Sequence, residues 1–184
     1  MLFYNGKFYF SSFFNTIGYE LWSSDGTTNG TQLVKDINPG SNSSIDRLSN
    51  IFYNSYSTIN ENCYAILNGF LYFTANDGVD SSIWRTDGTE AGTIKVIVIP
   101  ANNSLDNNRI IINATNDRIF FKSNINNSYG NNALWASDGT QSGTVLLGNW
   151  SIAAPQFKKN IIHNNQLYFT VNSNTTGVTL MKSN

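Results

Sequence analysis

Three aspartates recur in one setting: Asp25-Gly26-Thr27, Asp87-Gly88-Thr89 and Asp138-Gly139-Thr140. Each triplet is followed two residues later by a second Gly-Thr, at Gly30-Thr31, Gly92-Thr93 and Gly143-Thr144. A carboxylate repeated at one place could ligate a cation or accept hydrogen bonds from sugar hydroxyls. Calcium, however, needs roughly six to eight oxygens, and one carboxylate per turn supplies few of them. The competing role is local, because an Asp at the head of a turn accepts bonds from the backbone N–H groups that follow it. That structural role is the expected one. Asp25, Asp87 and Asp138 are kept as candidate ligand-binding positions, and neither a metal nor a cofactor is expected. Asn76-Asp77-Gly78-Val79-Asp80 has the look of a calcium loop but occurs once and lacks a downstream glutamate, so it reads as a connection.

The remaining reactive types are sparse. Trp22, Trp84 and Trp135 each follow Leu or Ile, which points to packing, whereas Trp150 lies outside that pattern and is the better candidate for exposure and stacking on a sugar, with a place in the core the equal alternative. His163 is the single histidine, and general-base catalysis would require a positioned nucleophile and an orienting group that the sequence does not offer. Cys63 is also alone, within Cys63-Tyr64-Ala65-Ile66-Leu67, where it reads as a small buried hydrophobe. Sialidases carry Asp-rich hairpin turns in comparable places, but their Ser-x-Asp-x-Gly order is not the order here. Of the four arginines, Arg85 and Arg118 adjoin the repeats as scaffold residues would, while Arg47 and Arg109 lie elsewhere. A sialidase-like glycoside hydrolase is therefore the least favoured function, and no enzyme is expected. Asn-x-Ser/Thr triplets at Asn29, Asn42, Asn102, Asn113, Asn126, Asn149 and Asn174 would matter only in a eukaryotic secretory setting.

The elements that position these residues repeat as well. Charged residues make up 12% of the 184, about half the usual share, while asparagine fills roughly one position in six. Such a composition favours strands joined by turns. Phe3-Tyr4-Asn5-Gly6-Lys7-Phe8-Tyr9-Phe10 returns as Ile66-Leu67-Asn68-Gly69-Phe70-Leu71-Tyr72-Phe73, then as residues 114–121 and 162–169. The central pairs Asn5-Gly6, Asn68-Gly69, Asn116-Asp117 and Asn164-Asn165 tolerate positive φ and predict four type I′ hairpins. Neighbouring apolar residues such as Leu21-Trp22 and Tyr72-Phe73 must point to opposite faces of a strand, so these strands need cover on both sides. Tyr9, Tyr72, Tyr168, Trp22, Trp84 and Trp135 are accordingly expected to be mostly buried.

The Tyr-Phe or Phe-Phe pairs start at 9, 72, 120 and 168, in steps of 63, 48 and 48. Four antiparallel strands in roughly 40–50 residues is the size of a propeller blade. The expected fold is an all-β, propeller-like repeat of about four antiparallel blades in one domain, residues 1–184. Its units run approximately 1–62, 63–111, 112–159 and 160–184, the last incomplete because residue 184 precedes a fourth Asp-Gly-Thr. The expectation is thus a piece of a longer propeller, an assembly of copies or an incomplete ring. An insertion between Asn38 and Asn62 accounts for the long first step. A net charge of -1 gives no basic stripe for nucleic acid. The longest apolar run, Ile94–Pro100, is far below the ~20 residues of a membrane helix, and residues 1–10 read as a strand rather than a signal peptide.

Glu20-Leu21-Trp22-Ser23-Ser24-Asp25-Gly26-Thr27, continuing through Gly30-Thr31 to Leu33-Val34-Lys35-Asp36-Ile37-Asn38-Pro39-Gly40, resembles the repeat of the ELWxxDGT proteins, large surface or secreted proteins found mainly in Bacteroidota. The second copy has Ser82-Ile83 and the third Ala133-Leu134 in place of Glu-Leu, and both lack the Lys-Asp-Ile-Asn-Pro-Gly tail. The resemblance implies a propeller-like extracellular module, often exported by the type IX route, without catalytic residues. The expected function is an extracellular or cell-surface adhesion or interaction module with glycans or surface proteins as partners. Polar loops at 122–132 and 170–177 would supply the contacts, and the other partners would be further blades of a longer chain or another copy. The alternative is a structural spacer.

Overall fold

The repeated aromatic pairs fall on the second strand of each of four antiparallel sheets. The computed structural model describes residues 1–45, 64–98, 113–124, 132–150, 160–173 and 177–183. The first sheet holds β1 (Leu2–Tyr4), β2 (Lys7–Phe14), β3 (Gly18–Ser24) and β4 (Gln32–Lys35). The second holds β5 (Tyr64–Leu67), β6 (Phe70–Asn76), β7 (Ser81–Thr86) and β8 (Ile94–Val98). The third holds β9 (Asn113–Ala114), β10 (Ile119–Asn124), β11 (Asn132–Ser137) and β12 (Val145–Trp150). The fourth holds β13 (Asn160–His163), β14 (Gln166–Ser173) and β15 (Gly177–Lys182). Strands neighbour one another in sequence order within every sheet, and the described residues contain no helix. Cys63, Arg47, Arg109, most of the insertion and the middles of the two polar loops, 125–131 and 174–176, lie outside the described residues.

Three of the four expected hairpins form as the asparagines dictate. Asn5 and Gly6 have φ of 46° and 77°, Asn68 and Gly69 51° and 73°, and Asn164 and Asn165 48° and 59°. Positive φ at both central residues is the signature of the type I′ turn. Asn116-Asp117 departs from the expectation, since neither residue has positive φ. There Thr115 N–H bonds the Arg118 carbonyl at 2.8 Å, but the Arg118 N–H turns to Thr115 Oγ1 at 3.2 Å. Asp is less tolerant of left-handed backbone than Gly, and the Thr115 hydroxyl, which also donates to Asp117 Oδ1 at 3.0 Å, supplies an alternative closure.

Each sheet has a front face, toward the next sheet in the chain, and a back face, toward the preceding one. Tyr9 and Leu21 of the first sheet pack on Leu71, Phe73 and Trp84 of the second. Tyr72 and Ile83 of the second pack on Ile119 and Phe121 of the third. Phe120 and Leu134 of the third pack on Leu167 and Phe169 of the fourth. The first residue of each aromatic pair thus faces forward and the second backward, which is how two adjacent large side chains are both buried. Tyr9, Tyr72 and Trp84 are buried as expected. Trp22, Trp135 and Tyr168 are only half-buried. Trp22 sits on the back of the first sheet and Tyr168 on the front of the fourth, the two faces with no described sheet against them, and Trp135 packs at the margin of the second core. Register shifts fall between Leu21/Trp22, Ile83/Trp84 and Leu134/Trp135, so the same irregularity recurs beside each apolar pair.

Candidate functional site: the Asp-Gly-Thr turns

Each Asp-Gly-Thr segment closes the last hairpin of its sheet with one set of bonds. In the first, Asp25 Oδ1 accepts from Thr27 N–H at 2.9 Å and from Thr27 Oγ1 at 2.7 Å. Thr27 Oγ1 then accepts from Gly30 N–H at 3.0 Å, and Thr31 Oγ1 donates to the Thr27 carbonyl at 2.7 Å. The second repeats this with Asp87, Thr89, Gly92 and Thr93, and the third with Asp138, Thr140, Gly143 and Thr144, each bond within 0.1 Å. A hydroxyl just before each Asp, on Ser24, Thr86 or Ser137, accepts the N–H of the glycine after it at 2.9–3.1 Å and pairs with the closing threonine. Sequence reasoning passed over these three hydroxyls, although their recurrence before Asp was visible.

The second glycine is fixed by space. A Cβ at Gly30, Gly92 or Gly143 would lie 2.0–2.1 Å from Oδ1 of the turn's own aspartate. The three aspartates are exposed, and the threonine hydroxyl, followed by the threonine N–H, holds each carboxyl below its ordinary value. One oxygen of each carboxylate is thereby committed to the turn, which is the structural role expected of Asp25, Asp87 and Asp138. Among the described residues no group of three or more His, Cys, Asp or Glu is placed to hold a metal ion.

The first glycine serves the neighbouring sheet. A Cβ on Gly88 would lie 2.3 Å from the Tyr9 hydroxyl oxygen, and one on Gly139 would lie 2.3 Å from that of Tyr72. The front-face tyrosine of one sheet therefore presses on the Asp-Gly-Thr turn of the next. Tyr4, ring to ring with Tyr9 at 5.9 Å, donates its hydroxyl to the Gly69 carbonyl in the second sheet's first hairpin. Lys35 adds a bond to the Thr93 carbonyl at 2.9 Å. These turns are inter-sheet joints as well as hairpins.

Glu20 anchors the tail that follows the first turn. Its side chain is fully buried, and its carboxylate accepts from Ile37 N–H at 3.1 Å, Ser44 N–H at 3.0 Å and the Ser44 hydroxyl. Burial pushes the Glu20 carboxyl above its ordinary value, against the hydrogen bonds that pull it down. The second and third copies carry Ser82 and Ala133 at this place and lack the tail, so the glutamate and the segment it holds are gained or lost together.

The other candidates are not brought together with the turns. In the loop at 76–80, the Lys95 ammonium lies 2.7 Å from Asp77 Oδ2 and 3.3 Å from Asp80 Oδ1, so a side-chain cation already bridges the two carboxylates. Trp150 ends β12 opposite Asn132. His163 ends β13 beside the Asn164-Asn165 hairpin, 6.2 Å ring to ring from Tyr168. At the far end of the first sheet Phe13 meets Tyr19 at 5.1 Å and Phe14 stacks on Trp22 at 4.9 Å. The second sheet has Asn76 and Asp77 at the places of Phe13 and Phe14, so this aromatic cluster is not repeated there.

Asp87→Ala removes two bonds of one turn and is expected to destabilise the fold by about 1 kcal/mol, as loss of comparable caps does. Millimolar calcium is expected to leave the melting temperature unchanged, and a rise of many degrees would make the aspartates ligands. A scan of family models, a search of curated proteins and a search of solved structures each return no match to this chain.

Proposed function

We propose that the four sheets are blades of a propeller-like scaffold of the ELWxxDGT kind and that the chain is a non-catalytic, extracellular or cell-surface interaction module. The observation that carries this reading is the division of labour between the two ends of each sheet. At one end lie the first hairpins and the Asp-Gly-Thr turns, and the turns carry the same bonds in each of three copies. At the other end the middle strands are joined through residues 15–17, 77–80, 125–131 and 174–176. Asn15-Thr16-Ile17 and Asn174-Thr175-Thr176 match in length and begin alike, while the other two differ from them and from each other in length and residue types. A rigid frame carrying variable polar loops is the arrangement in which binding residues are found. Asn, Ser and Tyr in those loops offer the amide and hydroxyl partners that sugars use, which favours glycans over nucleic acid for a chain of net charge -1.

A glycan array probed with the 184-residue chain tests this reading. Binding that is lost when residues 122–132 or 170–177 are exchanged for the connection of another sheet supports it. No signal on the array, together with no partner in a surface pull-down, leaves the spacer role in its place.

A further inference from the structure

Two sheet faces have no described sheet against them, and the repeat identifies what would cover each. On the back face, Phe8 occupies the place of Leu71, Ile119 and Leu167, which are 0%, 0% and 2% exposed, yet Phe8 is 38% exposed. Phe3 beside it and Phe14 at the other end of β2 are 60% and 50% exposed. On the front face of the fourth sheet, Leu180 occupies the place of Leu21, Ile83 and Leu134, which are 0%, 0% and 2% exposed, yet Leu180 is 67% exposed. Ile161 stands where Leu2 and Ala65 are buried, and it is 64% exposed.

The polar fittings are also present, with the Tyr168 hydroxyl donating within its own sheet to Gln166 Oε1 at 3.4 Å. Tyr168 is the counterpart of Tyr9 and Tyr72, whose hydroxyls press on Gly88 and Gly139. Gly26 is the counterpart of those glycines, with φ of 94° against their 97°, and its Cβ direction is open, with nothing within 4 Å. His163 is the counterpart of Tyr4 and keeps the same ring contact, 6.2 Å from Tyr168 at 59°, where Tyr4 lies 5.9 Å from Tyr9 at 50°. Tyr4 reaches the carbonyl of Gly69 in the next sheet, and Gly6 is the counterpart of Gly69 in the first.

We infer that the front face of the fourth sheet docks on the back face of the first sheet of a second copy of this chain, with Tyr168 seated on Gly26 and His163 reaching the Gly6 carbonyl. The interface continues one already made three times inside the chain, between the same two kinds of face. Both faces are open at once among the described residues, and each is the kind of face the other kind takes inside the chain, so a second copy supplies what each lacks. Contact between unlike faces is heterologous, and it propagates into a ring or a filament according to whether the rotation closes. The inference does not depend on what the loops bind.

Sedimentation velocity with two face-blocked variants tests it. Ile161→Glu/Leu180→Glu blocks the front of the fourth sheet, and Phe3→Glu/Phe8→Glu blocks the back of the first. Wild type is expected to associate as concentration rises, stopping at a closed ring if the rotation closes and growing further if it does not. Each variant alone stays monomeric, and an equimolar mixture forms a heterodimer that stops at two, because one open face of each kind remains. A wild type that is monomeric throughout, association of either variant alone, or no heterodimer from the mixture would overturn the proposal. Circular dichroism checks that the variants keep their sheets. If one does not, Val178→Glu or Phe14→Glu, at exposed positions on the same two faces, takes its place.

Discussion

Glu20→Ala is expected to lower the stability of the chain by about 3–5 kcal/mol, read as the shift of a urea unfolding midpoint. The substitution leaves the Ile37 N–H and the Ser44 hydroxyl without their acceptor in a buried setting, and takes one of two acceptors from the Ser44 N–H, which also bonds the Tyr19 carbonyl at 3.1 Å. Each such orphaned donor costs roughly 1–3 kcal/mol. Ile37 and Ile45 belong to the core between the first two sheets, so loosening the tail also exposes apolar surface. Glu20→Gln keeps one carbonyl acceptor and is expected to cost about half as much. The pH dependence distinguishes the carboxylate from a merely bulky side chain. Burial raises the folded-state value of Glu20 above the unfolded one, so its contribution is largest at low pH and declines as pH rises from the unfolded value toward the folded one. The gap between wild type and Glu20→Gln is therefore wider at the acid end of that window than at neutrality. The turn aspartates act in the opposite sense: their folded values are lowered, and their contribution is lost as pH falls below the ordinary Asp range.

Gly88→Ala should cost about 2–4 kcal/mol while Gly26→Ala costs about 1–2 kcal/mol. Both glycines have strongly positive φ, 97° and 94°, so the backbone penalty is common to them. Only Gly88 carries the additional overlap, because its new Cβ would fall 2.3 Å from the Tyr9 hydroxyl oxygen. Tyr9→Phe removes that oxygen. The double variant Tyr9→Phe/Gly88→Ala is expected to be more stable than the sum of the single changes by more than about 1 kcal/mol, a coupling that contact residues show and independent ones do not. Additive effects in this cycle would place the tyrosine elsewhere. Gly139 is the parallel case, with Tyr72 ring carbons at 3.0 and 3.3 Å behind the hydroxyl, so Tyr72→Phe relieves Gly139→Ala less completely.

The features legible in the sequence were those set by local chemistry. Asn-Gly and Asn-Asn announce positive φ, and three hairpins follow at 5–6, 68–69 and 164–165. Adjacent large apolar residues announce two covered faces, and Tyr72 and Phe73 are indeed buried in different cores. The Asn116-Asp117 hairpin was misread because its closure depends on the Thr115 hydroxyl one residue earlier, outside the two positions that define the turn. Burial of Trp22 and Tyr168 was overestimated for a different reason. A residue's pattern specifies which face it occupies, whereas exposure depends on whether a sheet lies against that face. Glu20 and the tyrosine–glycine joints were illegible for a third reason: each joins residues 17 to 79 positions apart, a relation that no local spacing encodes.

The claim on which the account rests is that the sheets mate in chain order, each tyrosine on the Asp-Gly-Thr turn of the next. Nuclear Overhauser spectra of the dilute, monomeric chain test it most directly. Ring protons of Tyr9 should show contacts to the Gly88 Hα protons, and those of Tyr72 to the Gly139 Hα protons, while Gly26 shows no aromatic contact. Gly88 and Gly139 lacking any contact to those rings would contradict it.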